Sequence, residues 1–190
     1  MSAMADKIMK RVRAKGRGWV FTPKHFIDFG TRGSVDMALS RLAQNGEIRR
    51  IGRGLYDYPQ LHDKLGALTP DAEMIAQAVS AQSGDRLAPS AAAAANKLGL
   101  STQVPARASY ATTGRTRVRQ AAGRSVTLKH SRAPVLGNAS DAANGVVQYL
   151  AGLGRDKVDA DAISQLAARL DDKDVQALLK GRVQMPGWMG

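Results

Sequence analysis

Cysteine is absent from the 190-residue chain. That excludes disulfides, thiolate nucleophiles, Fe–S clusters and Cys-based zinc sites. It agrees with a reducing cytoplasm, the expected location. Histidine is nearly absent too: only His25, His62 and His130 occur, and no two stand at i,i+3 or i,i+4. No metal site is therefore expected. No apolar run approaches the roughly 20 residues of a membrane span. The opening MSAMADKIMKRVRAKG has scattered charge and no apolar core, so neither a signal peptide nor a membrane partner is expected.

The catalytic patterns are also missing. There is no GxxxxGKS/T phosphate loop and no GxGxxG after a strand. A metal-dependent nuclease needs carboxylates on its β-core, and residues 105–130 contain none. Nothing in the spacing singles out a Ser–His–acid triad. The expectation is a protein that is not an enzyme, with no cofactor and no evident small-molecule substrate.

Acidic residues are scarce as well. The chain holds 16 Asp and Glu against 28 Lys and Arg, a formal net charge of +12. Its hydrophobic fraction is 44%, enough for a folded protein. A folded chain this basic is expected to meet a polyanion, the alternative being a charge that serves only solubility. The charge is also local. Residues 1–60 hold 12 basic and 5 acidic groups and residues 61–132 hold 10 and 4, whereas residues 133–190 hold 6 and 7. No acidic residue lies between Asp85 and Asp141, a stretch with nine Lys and Arg. Mixed signs are the rule on a merely solvated surface.

Residues 1–60 read as one domain. Ala5, Ile8, Met9 and Val12 mark one face of a helix over 3–14. Trp19-Val20-Phe21 suits a brief strand. Thr22-Pro23 is a cap followed by proline at the first helical position, opening a short helix that ends at Gly30. Thr31 caps the next helix, where Val35, Ala38, Leu39 and Leu42 fall at i, i+3, i+4 and i+7. Two strands, 47–51 and 55–58, flank Gly52-Arg53-Gly54. The order helix, strand, helix, turn, helix, hairpin is that of a winged helix-turn-helix, whose third helix enters the major groove while the wing touches the flanking backbone.

The residue types needed for duplex DNA stand where that reading puts them. Thr31, Arg32, Ser34, Met37, Ser40, Arg41 and Gln44 lie off the buried stripe of the third helix or at its start. Arg32 and Arg41 suit guanine O6 and N7 or phosphate, and Gln44 suits adenine. Ser34 suits a phosphate or a base edge. Arg49, Arg50 and Arg53 supply the wing. Asp36 is the exception: it either accepts from a cytosine amine or pairs with Arg32.

Residues 61–68 read as a linker, and 69–190 as a second, mostly helical α+β domain with a small antiparallel β element. Thr69-Pro70-Asp71 opens a helix with Ala72, Ile75, Ala76 and Val79 on its buried face. Pro89-Ser90 opens an alanine-rich helix, for which helix propensity alone is a sufficient explanation. Residues 105–130 alternate as strands do. They carry most of a second basic patch: Arg107, Arg115, Arg117, Arg119, Arg124, Lys129 and Arg132. Arg115, Arg117 and Arg119 share one face if all three lie on one strand. That row suits phosphate or an acidic protein surface, and a solvated hairpin is its plainer alternative. Three helical stripes follow Pro134. Asp171, Asp172 and Asp174 stand at the start of the last, where the helix dipole favours them.

Several stretches resemble a known family: Trp19-Val20-Phe21-Thr22-Pro23, Gly30-Thr31-Arg32, Ala38-Leu39-Ser40-Arg41-Leu42, Ile48-Arg49-Arg50, Gly52–Pro59 and Leu98–Pro105. Together they are similar to AbiEi-type antitoxins of bacterial type IV (abortive infection) toxin–antitoxin systems. The resemblance implies an N-terminal winged helix that binds repeats in the operon's own promoter and represses it. It also implies a C-terminal domain that counters a cognate nucleotidyltransferase-type toxin. Two other readings stay open at this point: a protein-interaction module using its winged helix as an interface, and an RNA-binding protein.

Overall fold

The computed structural model describes residues 3–103 and 106–189. Val104 and Pro105, which close the segment 98–105 noted above, lie outside them. The fold is mixed α+β, and the chain divides into two compact units, 1–84 with 119–126 and 85–118 with 127–190.

The first unit begins with α1 (Ala3–Lys15), which buries Ala5, Ile8, Met9 and Val12, the face expected from their spacing. Strand β1 (Val20–Phe21) follows, then a 3-10 turn, Pro23–Phe26. Helix α2 (Arg32–Gln44) is capped by Thr31, whose hydroxyl accepts from the Ser34 N–H. It buries Val35, Ala38, Leu39 and Leu42. Strands β2 (Arg49–Gly52) and β3 (Leu55–Asp57) form a hairpin, and the sheet order is β1-β3-β2. Phe21 and Phe26 are fully buried against α1 and α2, their rings crossing edge to face at 5.5 Å. Burying side chains of this size contributes about 2–3 kcal/mol each.

The first unit runs past the boundary expected at 61–68. Instead of a linker, these residues contain β4 (Leu61–His62) and β5 (Gly66–Ala67), a small antiparallel hairpin. Helix α3 (Ala72–Ser83) packs on β1 and buries Ile75, Ala76 and Val79. Its cap is Asp71, which accepts from Glu73 N–H, rather than Thr69. A carboxylate one residue inside the proline reaches the free amides of the first turn, and Thr69 is too far back to do so.

His25 closes the 3-10 turn on its cap, Thr22. Its Nδ1 lies 3.1 Å from the Thr22 N–H, which it accepts as a neutral ring. Burial holds its pKa below the ordinary 6.5, with Lys15, Arg11 and Lys24 adding to the shift, opposed by the hydrogen bond that a protonated Nδ1 would instead donate to the Thr22 carbonyl. The unfolded chain takes up this proton near pH 6.5 while folded His25 stays neutral. The unfolded state then binds more protons, and stability falls as pH drops below about 7. Thermal midpoints measured between pH 7 and pH 5 will decline for the native chain and decline less for His25→Gln. An identical pH slope in both would remove His25 from the account. Asp28, held low by Arg11, acts only near or below its ordinary 3.8 and does not enter this window.

In the second unit, β6 (Leu87–Pro89) pairs antiparallel with β7 (Ala108–Thr112). Strands β8 (Arg117–Ala121) and β9 (Arg124–His130), whose tip at 119–126 belongs to the first unit, complete a sheet of order β6-β7-β9-β8. The β8–β9 loop is Ala122-Gly123, with φ of 49° and 76°. Two left-handed residues in a two-residue loop match the right-handed strand twist, and alanine there carries strain that glycine does not. Helix α4 (Ala91–Lys97) lies against α5 (Asp141–Leu153). A Cβ on Gly152 would meet Ala91 at 2.7 Å and one on Gly145 would meet Ala94 at 3.4 Å. The alanine run therefore does more than favour helix: its small side chains let the two backbones approach. On α5, buried Asn144 brackets Leu136, donating to its carbonyl at 3.0 Å and accepting from its N–H at 2.7 Å. Gln148, one turn on, donates to the Pro134 carbonyl at 3.0 Å. Helices α6 (Ala160–Ala167) and α7 (Asp172–Gly181) follow, capped by Asp159 and Asp171. Among the described residues no helix is long and apolar enough to cross a membrane.

Candidate nucleic-acid interface

Helix α2 divides cleanly into two faces. Opposite the buried stripe, Gly33, Met37, Ser40, Arg41 and Gln44 are all exposed, Met37 by 58%. Their spacing of i, i+4, i+7, i+8 and i+11 makes one continuous strip along three turns. Arg41 forms no ion pair among the described residues.

At the start of the strip, Thr31 and Ser34 bind each other. The Ser34 hydroxyl donates to the Thr31 carbonyl at 2.8 Å, and the two hydroxyls lie 3.0 Å apart. They serve first as the cap that fixes where α2 begins. Arg32 donates through Nε to both oxygens of Asp36, at 3.0 and 2.9 Å. This settles the place of Asp36 by the second of the two options: its charge is answered within the helix. Both partners are exposed, so the pair is weak and separable. The remaining guanidinium nitrogens of Arg32 stay available.

The three arginines expected on the wing separate into two kinds. Arg50 and Arg53 are exposed, with no ion pair among the described residues. Gly54 after Arg53 has φ of +67°, which a side chain resists, so the β2–β3 turn needs glycine there. Arg49 behaves differently from the expectation. Its guanidinium grips Asp57 through Nε at 3.0 Å and Nη2 at 2.6 Å, and donates to the Leu68 carbonyl at 2.7 Å. Asp57 is only 1% exposed. The carboxylate raises the Arg49 pKa further above its ordinary value. Arg49 is thus spent inside the unit, because a buried carboxylate demands a partner. Arg11 and Arg17 are similarly engaged. Arg11 pairs with Asp28 at 2.6 Å and lies 4.0 Å over the Phe29 ring, while Arg17 donates to the Pro59 carbonyl at 2.9 Å and lies 4.6 Å over Tyr58.

The second basic patch does not form a single face. Strand β8 begins at Arg117, so Arg115 lies outside it and the expected three-arginine row is not made. Arg117 is turned to Asp85, at 2.8 Å. A Cβ on Gly114 would strike that carboxylate, so this glycine makes room for the pair. Arg107 is exposed in the bend before β7. Lys129 and Arg132 lie with the second unit.

Arg119 and Arg124 instead belong to the first unit, in the tip of the β8–β9 hairpin. The Ala122 N–H donates to the Ile51 carbonyl at 2.9 Å, and a Cβ on Gly52 would stand 3.0 Å from the Gln120 carbonyl. The hairpin tip therefore lies against the β2–β3 hairpin, and both its arginines are exposed. No local signal in the sequence pairs residue 122 with residue 51. The long-range contact that does so is invisible to spacing arguments. Among the described residues no group of three His, Asp or Glu stands as a metal site would need.

A family's sequence model matches residues 7–178, and its description is "Family of unknown function (DUF6088)". The match covers most of the chain. No curated protein matches it.

Proposed function

We propose that this chain, which belongs to the DUF6088 family, carries an N-terminal winged helix-turn-helix that binds duplex DNA. We further propose that it acts in the cytoplasm as an autorepressor and antitoxin of the kind it resembles. The observation that carries the DNA reading is the exposed strip on α2. Met37, Ser40, Arg41 and Gln44 offer an apolar methyl contact, a hydroxyl, a guanidinium and an amide in one row, the set that reads base edges in a major groove. Arg50 and Arg53 on the β2–β3 hairpin, with Arg119 and Arg124 beside it, supply the sequence-independent phosphate contacts. The strip faces solvent while its opposite face holds the core, so nothing among the described residues of the first unit competes for it.

The antitoxin half is supported by the second unit's exposed apolar side chains. Val175 and Leu179 stand exposed one turn apart on α7, and Val183 follows in the 3-10 turn after it, 84% exposed. Such a group is surface of the type that takes a protein partner.

A gel-shift titration with duplex DNA from upstream of the protein's own gene tests the first claim. The native chain will retard the duplex, and Arg41→Ala with Arg53→Ala will weaken retardation by an order of magnitude or more, at about 1–3 kcal/mol for each good contact. An unchanged shift would refute the DNA role.

A further inference from the structure

We propose that the second unit carries a separate binding site for a phosphomonoester of nucleotide size. A cavity of about 440 Å³ opens between the end of β9, β7 and the α4–α5 pair. That volume lies in the range of small-molecule sites. Its rim carries two cations, Lys129 and Arg132, and the His130 ring, within four residues. No carboxylate lines it, a direct consequence of the acid-free stretch from 86 to 140. Neither Lys129 nor Arg132 forms an ion pair among the described residues. Two cations flanking an uncompensated hollow favour an anion with several acceptor oxygens.

The other walls define the rest of the ligand. Ser109 adds a hydroxyl donor, and the half-buried Tyr110 adds an aromatic wall. His130 is held by a 2.9 Å contact between Nδ1 and the Gly114 carbonyl, which leaves Nε2 as its other hydrogen-bonding atom. A base stacked on an aromatic ring with its phosphate among cations is a recurrent pairing. A larger cavity in this unit, about 680 Å³, differs. There Asp172 stands with Arg86, Lys173 and Lys180, so its charge is mixed.

Calorimetric titration of the full-length chain tests the site. The probes are inorganic phosphate, AMP and GMP, and a six-nucleotide single strand with and without a 5′-phosphate. The expected result is that a mononucleotide binds more tightly than inorganic phosphate. Lys129→Gln with Arg132→Gln will weaken it by at least about tenfold, with the circular dichroism spectrum unchanged. Tyr110→Leu will remove the preference over inorganic phosphate while phosphate itself still binds. Binding of the 5′-phosphorylated strand but not of free nucleotides would make a strand end the source of the same phosphate. Arg41→Ala with Arg53→Ala will leave nucleotide binding intact, which separates this site from the α2 strip. Three results would each overturn the proposal: no binding by any probe, equal binding of the strand with and without its phosphate, or binding indifferent to the Lys129 and Arg132 changes.

Discussion

Arg49→Ala will destabilise the first unit by about 3 kcal/mol, the lower end of the range for breaking a buried pair, since the arginine itself is one-third exposed. Asp57 is 1% exposed, and without its partner the carboxylate is left buried and uncompensated. The Leu68 carbonyl loses its donor in the same step. For a domain of this size each kcal/mol shifts the thermal midpoint by roughly 4–8 °C, so the transition will move by well over 10 °C. Replacing both partners by apolar residues, Arg49→Met with Asp57→Leu, will recover most of the loss, because the desolvated charge goes with them. A wing arginine engaged with phosphate would behave in the opposite way. Its loss would leave the midpoint unchanged and reduce only affinity and salt dependence. A thermal melt of the two variants therefore separates a structural arginine from a binding one.

The second large effect divides Arg41 from Arg53. Arg41 stands in the middle of the exposed α2 strip, from which, on the proposed reading, its guanidinium would meet base edges. Arg41→Ala will cost roughly 1–3 kcal/mol on the preferred duplex and much less on random DNA. Arg53 stands exposed in the β2–β3 turn, which on the proposed reading is a wing that touches only the DNA backbone. Arg53→Ala will weaken binding to all sequences alike and reduce the slope of log affinity against log salt by about 0.9. Equal losses on preferred and random duplex for Arg41→Ala would refute base readout by this helix.

Much of the first unit is legible in the sequence because its signals are local. Thr31 with Val35, Ala38, Leu39 and Leu42 marks a cap and a buried stripe within one helix, and α2 starts and packs accordingly. Gly52-Arg53-Gly54 marks the hairpin turn in the same way. What spacing misses is pairing at a distance. Nothing near Arg49 shows that a buried carboxylate eight residues on would claim it. Arg117 looks like its neighbours Arg115 and Arg119, yet Asp85, 32 residues earlier, takes it out of the row. Arg119 and Arg124 join the first unit through the hairpin contact of Ala122 with Ile51, which no periodicity reveals. The segment 61–68 lacks turn signatures strong enough to mark a hairpin, and the structure still forms one. The charge divided by sequence thirds thus differs from the charge divided by compact units. Part of the second basic stretch belongs with the first.

The most direct test of the central claim is a fluorescence-anisotropy titration of the full-length chain. It compares the duplex upstream of its own gene with a scrambled duplex at several salt concentrations. The account predicts tighter binding to the upstream duplex, and a log–log salt slope of roughly −3 to −4, set by about four phosphate contacts. It also predicts that Arg41→Ala erases much of the preference while Arg53→Ala leaves the preference and flattens the slope. Equal affinity for both duplexes, with a preference untouched by Arg41→Ala, would contradict it.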